Sequence, residues 1–149
     1  MRILMSVMFL LLPVVAFAQI KRTNPAPLSK PTGYTHVVEV SGPAKMVYIS
    51  GQIAFDKDGA VVGPGDMKAQ AEQVFKNLQM ALEAAGAKFS DVVKMNTYIT
   101  DMDQAPAVRE VRARYFGDTT PASTLVQVVR LARPELLLEI EVVAALPAR

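Results

Sequence analysis

The chain of 149 residues contains 16 lysines and arginines, 14 aspartates and glutamates, one histidine and no cysteine, and its formal net charge is +2. This length suits a single domain with one packed core, and the small, interspersed charge indicates neither nucleic acid nor an anionic membrane as a partner. Without cysteine, and with only His36, the sequence excludes disulfides, thiol nucleophiles, cysteine–zinc sites and multi-histidine metal centres.

The first eighteen residues have the pattern of a secretory signal peptide. Arg2 supplies a positive charge, residues 3–15 are almost wholly apolar, and Ala16-Phe17-Ala18 matches an A-x-A cleavage site. We therefore expect cleavage between Ala18 and Gln19, a secreted protein that is periplasmic in a Gram-negative host, and no stable membrane association afterwards. The alternative is an uncleaved anchor, but a membrane span needs about 20 apolar residues, and this run is shorter and contains Pro13.

Residues 19–33 are predicted to form a proline-rich leader, because Pro25, Pro27, Pro31 and Gly33 disfavour a helix and rarely occur in a central strand. The domain itself is predicted over residues 34–149. Its first segments, 35–40 and 45–53, are rich in Val, Ile and Tyr and are separated by turn-prone residues 41–43. This arrangement predicts two adjacent antiparallel strands joined as a hairpin.

A long helix is predicted after the glycine-rich and aspartate-rich loop of residues 55–65. It begins at Asp66 and stops at Gly86, and its length is about 20 residues. Apolar side chains recur along it at spacings of three and four, which is typical of a helix with one buried face. These positions are Met67, Ala71, Val74, Phe75, Leu78, Ala81, Leu82 and Ala85.

A strand and a second helix are predicted next. Residues 92–100 are rich in β-branched and aromatic side chains, which favour a strand. Asp101 or Asp103 is suited to cap a helix that runs through Phe116 and ends at Gly117. Its apolar stripe consists of Val108, Val111 and Tyr115, with Arg109, Arg112 and Arg114 largely beside it.

Two further apolar segments, residues 122–131 and 136–144, are separated by a turn-prone segment at residues 132–135. This pattern predicts a second hairpin. The predicted order is two strands, helix, strand, helix and two strands. Strands with two helices on one face indicate an α+β sandwich of two layers.

Few residues of the chain suit catalysis. His36 lies at the start of a predicted strand, where we expect a half-exposed structural histidine, and no phosphate-binding glycine motif is present. Glu139 and Glu141 alternate in an apolar strand and therefore share one face. Burial would raise the pKa of such a carboxylate and suit it to proton transfer. The alternative is that both face solvent or pair with Arg130, Arg133 or Lys94.

Several segments in the same order resemble the Rid (YjgF, reactive intermediate deaminase) family, over about residues 34–144. They are Ile49-Ser50-Gly51-Gln52-Ile53, Ala84-Ala85-Gly86, Asp91-Val92-Val93-Lys94, Tyr98-Ile99-Thr100-Asp101-Met102, Pro121-Ala122, Val129-Arg130-Leu131 and Glu139-Ile140-Glu141.

The resemblance implies a chorismate-mutase-like fold, with a mixed sheet of about six strands and two helices on one face. It also implies a homotrimer with small-molecule clefts between adjacent subunits. Well-known members hydrolyse enamines and imines without a metal or cofactor, in the manner of a 2-iminobutanoate/2-iminopropanoate deaminase. Others lack this activity. Some have been described as ribonucleases or translation inhibitors, which export disfavours, so no nucleic-acid partner is expected.

The resemblance also suggests site residues. Tyr34 matches the tyrosine of the family's leader, Ser50 and Gly51 match a strand-end pair whose backbone meets the ligand, and Glu139 matches a catalytic glutamate that positions water. Deaminating members have an arginine after the Pro-Ala pair, where this chain has Ser123. Two further candidate substrate-binding residues depart from the pattern. Leu125 stands where cysteine is frequent, and Arg109 stands where asparagine is common.

The change at Ser123 leaves two hypotheses open. An arginine holds a carboxylate through a charge-assisted hydrogen bond that contributes about 1.5–3 kcal/mol, and serine cannot replace it. The first hypothesis is a divergent, cofactor-independent hydrolase acting on C–N bonds of imines or enamines. The second is a non-catalytic exported protein that binds a metabolite. Arg109 either enters the cleft or is a solvated residue of the helix surface.

Overall fold

The computed structural model describes residues 18–148. The predicted signal peptide, residues 1–18, therefore lies outside the described residues except for Ala18, and Arg149 lies outside them too. No helix within residues 18–148 is long and apolar enough to cross a membrane.

Six strands and two α-helices make up the described part of the chain. They are β1 (Gln19–Thr23), β2 (Val37–Ser41), β3 (Ala44–Gln52), α1 (Met67–Ala84), β4 (Val92–Ile99), α2 (Ala105–Phe116), β5 (Ala122–Gln127) and β6 (Leu138–Pro147).

The strands form two sheets. A four-stranded sheet has the order β3-β6-β4-β5, and β1 and β2 form a separate antiparallel pair. In the larger sheet β6 is antiparallel to β3 and to β4, whereas β5 is parallel to β4. Helix α2 provides the crossover that a parallel pair requires. The predicted α+β fold with a mixed sheet, six strands and two helices is confirmed, although the six strands are divided between two sheets.

Both predicted hairpins are wrong. Strand β2 pairs with β1 and strand β3 pairs with β6, while β5 and β6 lie on opposite sides of β4. A turn-prone sequence specifies a chain reversal, but the choice of strand partners depends on which apolar faces are buried together. Strands β4 and β6 each bury alternate side chains, so they lie together in the middle of the sheet.

The leader begins with a strand, which the prolines did not predict. Strand β1 ends two residues before Pro25, so those prolines leave its backbone free to pair. Arg22 anchors it to the domain, because its guanidinium donates hydrogen bonds to the backbone carbonyls of Thr120, Ser90 and Val92 over 3.2, 2.9 and 3.2 Å.

The helix boundaries follow the predicted capping residues. The Asp66 carboxylate accepts hydrogen bonds from the amides of Lys68 and Ala69, each over 3.0 Å, and α1 ends before Gly86, whose φ of 76° suits glycine. Asp101 caps a single 3-10 turn over Met102–Gln104, which leads directly into α2. Both predicted helices are confirmed.

The core lies between the helices and one face of the four-stranded sheet. The helices contribute Phe75, Leu78 and Val111, and the central strands contribute Met95 and Ile140. The alternating burial of β4 and β6 leaves their other side chains on the opposite face of the sheet, hereafter the open face. The two faces carry different parts of the predicted site.

Candidate functional site

A cleft of about 180 Å³ lies between α2, the sheet and the leader, hereafter the α2 cleft. It brings together four of the predicted site residues. Its lining consists of Thr32 and Tyr34 from the leader, Thr97 from β4, Ala105, Val108, Arg109 and Arg112 from α2, and Ser123 and Leu125 from β5.

Periodicity within each element puts its lining side chains on the same face. Ser123 and Leu125 are two residues apart on β5, so both point to the helix side of the sheet, and Leu125 lies opposite Thr97 of β4. On α2, Val108, Arg109 and Arg112 follow the spacing of one helix face. Packing of α2 on the sheet then brings these faces together, and Arg109 lines the cleft.

The leader closes the α2 cleft from one side. Thr35 donates a hydroxyl hydrogen bond of 2.7 Å to the Thr120 carbonyl, and its amide donates to the Pro121 carbonyl over 2.9 Å. The ring of His36 packs edge-on against Tyr34, with 5.1 Å between centroids, and its Nε2 donates to the Ser29 carbonyl over 2.8 Å. His36 therefore has a structural role beside the cleft, as the sequence indicated.

Arg112 is the site residue that the sequence analysis missed. Its Nη1 lies 3.5 Å from the hydroxyl of Ser123, and its guanidinium lies against the leader backbone, where a Cβ built on Gly33 would be 2.6 Å from Nη2. Burial, together with the positive charge of Arg109, lowers the pKa of Arg112. The available signal was its position four residues after buried Val108, on the same helix face.

Glu139 lies on the open face, away from the α2 cleft. It stands opposite Tyr98 in the register of β4 and β6, and it borders a depression of about 440 Å³ with Arg130 and Leu131. Gly51 is next to it, since a Cβ built on Gly51 would overlap the Glu139 carboxylate and lie 2.7 Å from its Cδ. The structure therefore brings Gly51 and Glu139 together, but it places this pair apart from the four predicted site residues that line the α2 cleft.

Ser50 lies in a neighbouring part of the open face. Ser50 and Gly51 fall at a register irregularity of β3, between Ile49 and Gln52. Ser50 lines a depression of about 310 Å³ whose other members include Lys94, Asn96 and Glu141. Within the chain, the predicted site is thus divided between the two faces of the sheet.

Glu141 is held by neutral partners and not by the basic residues that the sequence suggested. Its carboxylate accepts hydrogen bonds from Asn96 Nδ2 over 2.8 Å and from the Tyr98 hydroxyl over 3.0 Å. These bonds lower the pKa of Glu141, while the bond to Glu141 raises the pKa of Tyr98. Lys94 instead donates to Thr124, so the ion pair that the sequence left open as one alternative does not form between Lys94 and Glu141.

No group of three or more histidine, aspartate or glutamate side chains in residues 18–148 is arranged to hold a metal ion. The polar groups that line the two regions are guanidinium, carboxylate, hydroxyl, ammonium and amide groups. Together they suit the binding of a small polar molecule and the positioning of a water.

Comparisons with known proteins agree with this fold. A RutC family protein of Pyrococcus horikoshii is 38% identical over 116 residues, which cover 77% of this chain and 89% of that protein. A 2-iminobutanoate/2-iminopropanoate deaminase of Dermatophagoides farinae is 36% identical over 115 residues, which cover 76% of this chain and 88% of that protein.

A crystal structure of a Rid-family protein of unknown function from Yersinia pestis matches with a TM-score of 0.78 and 37% identity, covering 85% of this chain and 98% of that chain. The family model described as Endoribonuclease L-PSP matches residues 24–146. The chain belongs to this family, the Rid or YjgF family that its sequence motifs resemble.

Proposed function

We propose that the protein binds a small organic molecule in the α2 cleft and hydrolyses its C=N bond. In this reaction water adds to the carbon of an imine, or of the imine tautomer of an enamine, and the C–N bond then breaks to give a carbonyl compound and ammonia. The observation that carries the proposal is the convergence of Tyr34, Arg109, Ser123 and Leu125 in one cleft. The relative named as a deaminase supports the reaction class.

Glu139 is the group proposed to position and activate the water. A carboxylate can accept a proton from water that attacks an adjacent carbon, provided that it lies within hydrogen-bond reach of that water. Glu139 stands on the open face, whereas the α2 cleft lies on the helix side of the same sheet. One subunit alone therefore does not bring this carboxylate to its own cleft.

We infer that the site is completed in a homotrimer, in which Glu139 and Gly51 of the partner subunit face the α2 cleft. Exposed apolar side chains support such an association, because apolar side chains gathered on an open surface mark an interaction site. On the strands of the four-stranded sheet, Tyr48 is 77% exposed, Met46 is 40% exposed and Val126 is 39% exposed. Val129, just after β5, is fully exposed.

The test is ammonia release by the purified protein from freshly generated 2-iminobutyrate and 2-iminopropionate. We expect Glu139→Gln to abolish turnover and to leave the assembly unchanged, as measured by light scattering, because the amide keeps the shape of the side chain but cannot accept a proton. Glu83→Gln is a matched control, since Glu83 lies on the exposed surface of α1. Full activity in Glu139→Gln would contradict the assigned role.

A second candidate function is that of a non-catalytic exported protein that binds a metabolite. The observation in its favour is Ser123, which lacks the charge that an arginine at this position would supply for holding a substrate carboxylate. This function predicts ligand-induced stabilisation without product. Consistent turnover of one compound across a broad metabolite panel would contradict it.

Export itself is part of the proposal. The pattern of residues 1–18 supports a cleaved signal peptide and a secreted or periplasmic protein. N-terminal sequencing of the protein recovered from the periplasm of a Gram-negative host is expected to begin at Gln19. A cytoplasmic protein that retains Met1 or Arg2 would overturn this assignment.

A further inference from the structure

The α2 cleft contains two arginines and no acidic residue. Of the nine residues that line it, Arg109 and Arg112 are the charged ones. Burial, and to a lesser extent the positive charge of Arg109, lowers the pKa of Arg112. An arginine nevertheless remains protonated in proteins, so the cleft carries two positive charges.

Neighbouring charged residues of α2 are neutralised, which sets these two apart. Arg114 pairs with Glu72 of α1, and Glu110 pairs with Lys68 over 2.7 Å. Within residues 18–148, no carboxylate lies within 4.0 Å of the guanidinium of Arg109 or Arg112. The uncompensated charges are thus those that face the cleft.

Arg112 is also placed for binding. Its guanidinium is partly desolvated between Ser123 and the leader backbone at Gly33, and desolvation strengthens a charge-assisted hydrogen bond. The planar guanidinium offers two parallel donors to a carboxylate. The hydroxyl of Ser123 is a further donor beside it.

We propose that the α2 cleft takes a small organic dianion that carries two carboxylates. Arg112 and Ser123 hold one carboxylate, and Arg109, which is more exposed, holds the other. The cleft of about 180 Å³ has room for about six water molecules, which suits a compact dicarboxylate of about four carbons. This proposal specifies the ligand class and rests on the proposed function in taking the α2 cleft as the ligand site.

The test is isothermal titration calorimetry of the purified protein with succinate and with butyrate, which has the same carbon chain but one carboxylate. We expect succinate to bind at least about tenfold more tightly, because a second charge-assisted hydrogen bond forms. Equal affinities for the two compounds, or no detectable binding of succinate, would overturn the proposal.

Variants separate the roles of the two arginines. Arg112→Gln and Arg109→Gln are each expected to weaken succinate binding about 10-fold to 100-fold. Arg114→Gln, on the same helix but paired with Glu72, should bind succinate as the unmodified protein does. Arg112→Gln could also loosen the leader, and thermal melting would reveal such a loss of stability. Arg109 is exposed, so Arg109→Gln tests the proposal without disturbing buried contacts. Unchanged succinate affinity in Arg109→Gln would contradict the two-arginine site.

The dianion site and the proposed hydrolysis can be refuted separately. Ammonia release from 2-iminobutyrate without any preference for succinate over butyrate would overturn the dianion site and leave the hydrolase proposal intact. Succinate binding that depends on both arginines, with no ammonia released from any imine, would support the dianion site and overturn the hydrolase proposal.

Discussion

Gly51 leaves the space that the side chain of Glu139 occupies. A Cβ built at Gly51 would overlap the Glu139 carboxylate and lie 2.7 Å from Cδ and 2.8 Å from Cγ. The two residues belong to β3 and β6, which pair along the edge of the four-stranded sheet. A side chain at position 51 would therefore force the Glu139 side chain, from Cγ outward, into a different rotamer.

Replacing Gly51 by alanine is predicted to impair catalysis through Glu139. Because the carboxylate must turn away from its position, we expect ammonia release from 2-iminobutyrate to fall at least about tenfold, which corresponds to about 1.4 kcal/mol. Circular dichroism provides the control that the fold is retained. A Gly51→Ala variant that keeps its full rate would show that the position of Glu139 does not limit the reaction.

The variant Ser123→Arg is predicted to be harmful while Arg112 is present. The Ser123 hydroxyl lies 3.5 Å from the Arg112 guanidinium, so a new guanidinium would enter a partly buried site already occupied by a positive charge. We expect a lower melting temperature and weaker ligand binding, both recovered in the double variant Ser123→Arg with Arg112→Gln. A gain of activity in Ser123→Arg alone would contradict the idea that Arg112 occupies this place.

The bonds to Glu141 predict a pH-dependent contribution to stability. Because Asn96 and Tyr98 hold the pKa of this carboxyl below its ordinary value, the contribution is present above the pKa of the unfolded chain and is lost as the pH falls through the folded pKa. In Asn96→Ala, a carboxyl-carbon NMR titration should show the pKa of Glu141 moved upward.

Denaturant titrations provide the second measurement. The difference in the free energy of unfolding between the unmodified protein and Asn96→Ala should be smaller at about pH 3 than at about pH 7, since the protonated carboxyl has lost its charge. A difference that is equal at both pH values would contradict the role of the Glu141 charge.

Gln70 is predicted to contribute strongly to stability. It is fully buried, and its amide donates to the carbonyls of Gly63 and Glu135 over 3.2 and 2.6 Å and accepts from the Leu137 amide over 2.8 Å. Gln70→Ala leaves the Glu135 carbonyl and the Leu137 amide without a partner, whereas the Gly63 carbonyl keeps the Asp66 amide, and it should lower the free energy of unfolding by about 2–4 kcal/mol. Chemical denaturation measures this loss.

Gln79 offers a matched control on the same helix. It is exposed and donates to Glu83 on the helix surface, so Gln79→Ala should change the free energy of unfolding by less than about 0.5 kcal/mol. Similar losses in the two variants would show that the contacts of Gln70 do not account for its effect.

The sequence by itself determined the two helices, strand β4 and the family. Capping by Asp66, the stop at Gly86 and the apolar stripes depend on residues a few positions apart, so their signals are local. The family resemblance, and not a local pattern, named Arg109, Ser123 and Leu125 as candidate site residues, and all three line the α2 cleft. The family motifs, which occur in the family's order, predicted the fold because they cover nearly the whole domain.

Only the tertiary structure decided which strands pair and which groups of the site meet. Strand pairing depends on which distant segments bury their apolar faces together, so β2 joined β1 and β6 joined β3 and β4. The contact of Arg112 with Ser123 likewise depends on how α2 packs on β5, and the separation of Glu139 from the α2 cleft follows from the two faces of one sheet. These relationships arise from packing between segments far apart in the chain, which no local pattern encodes.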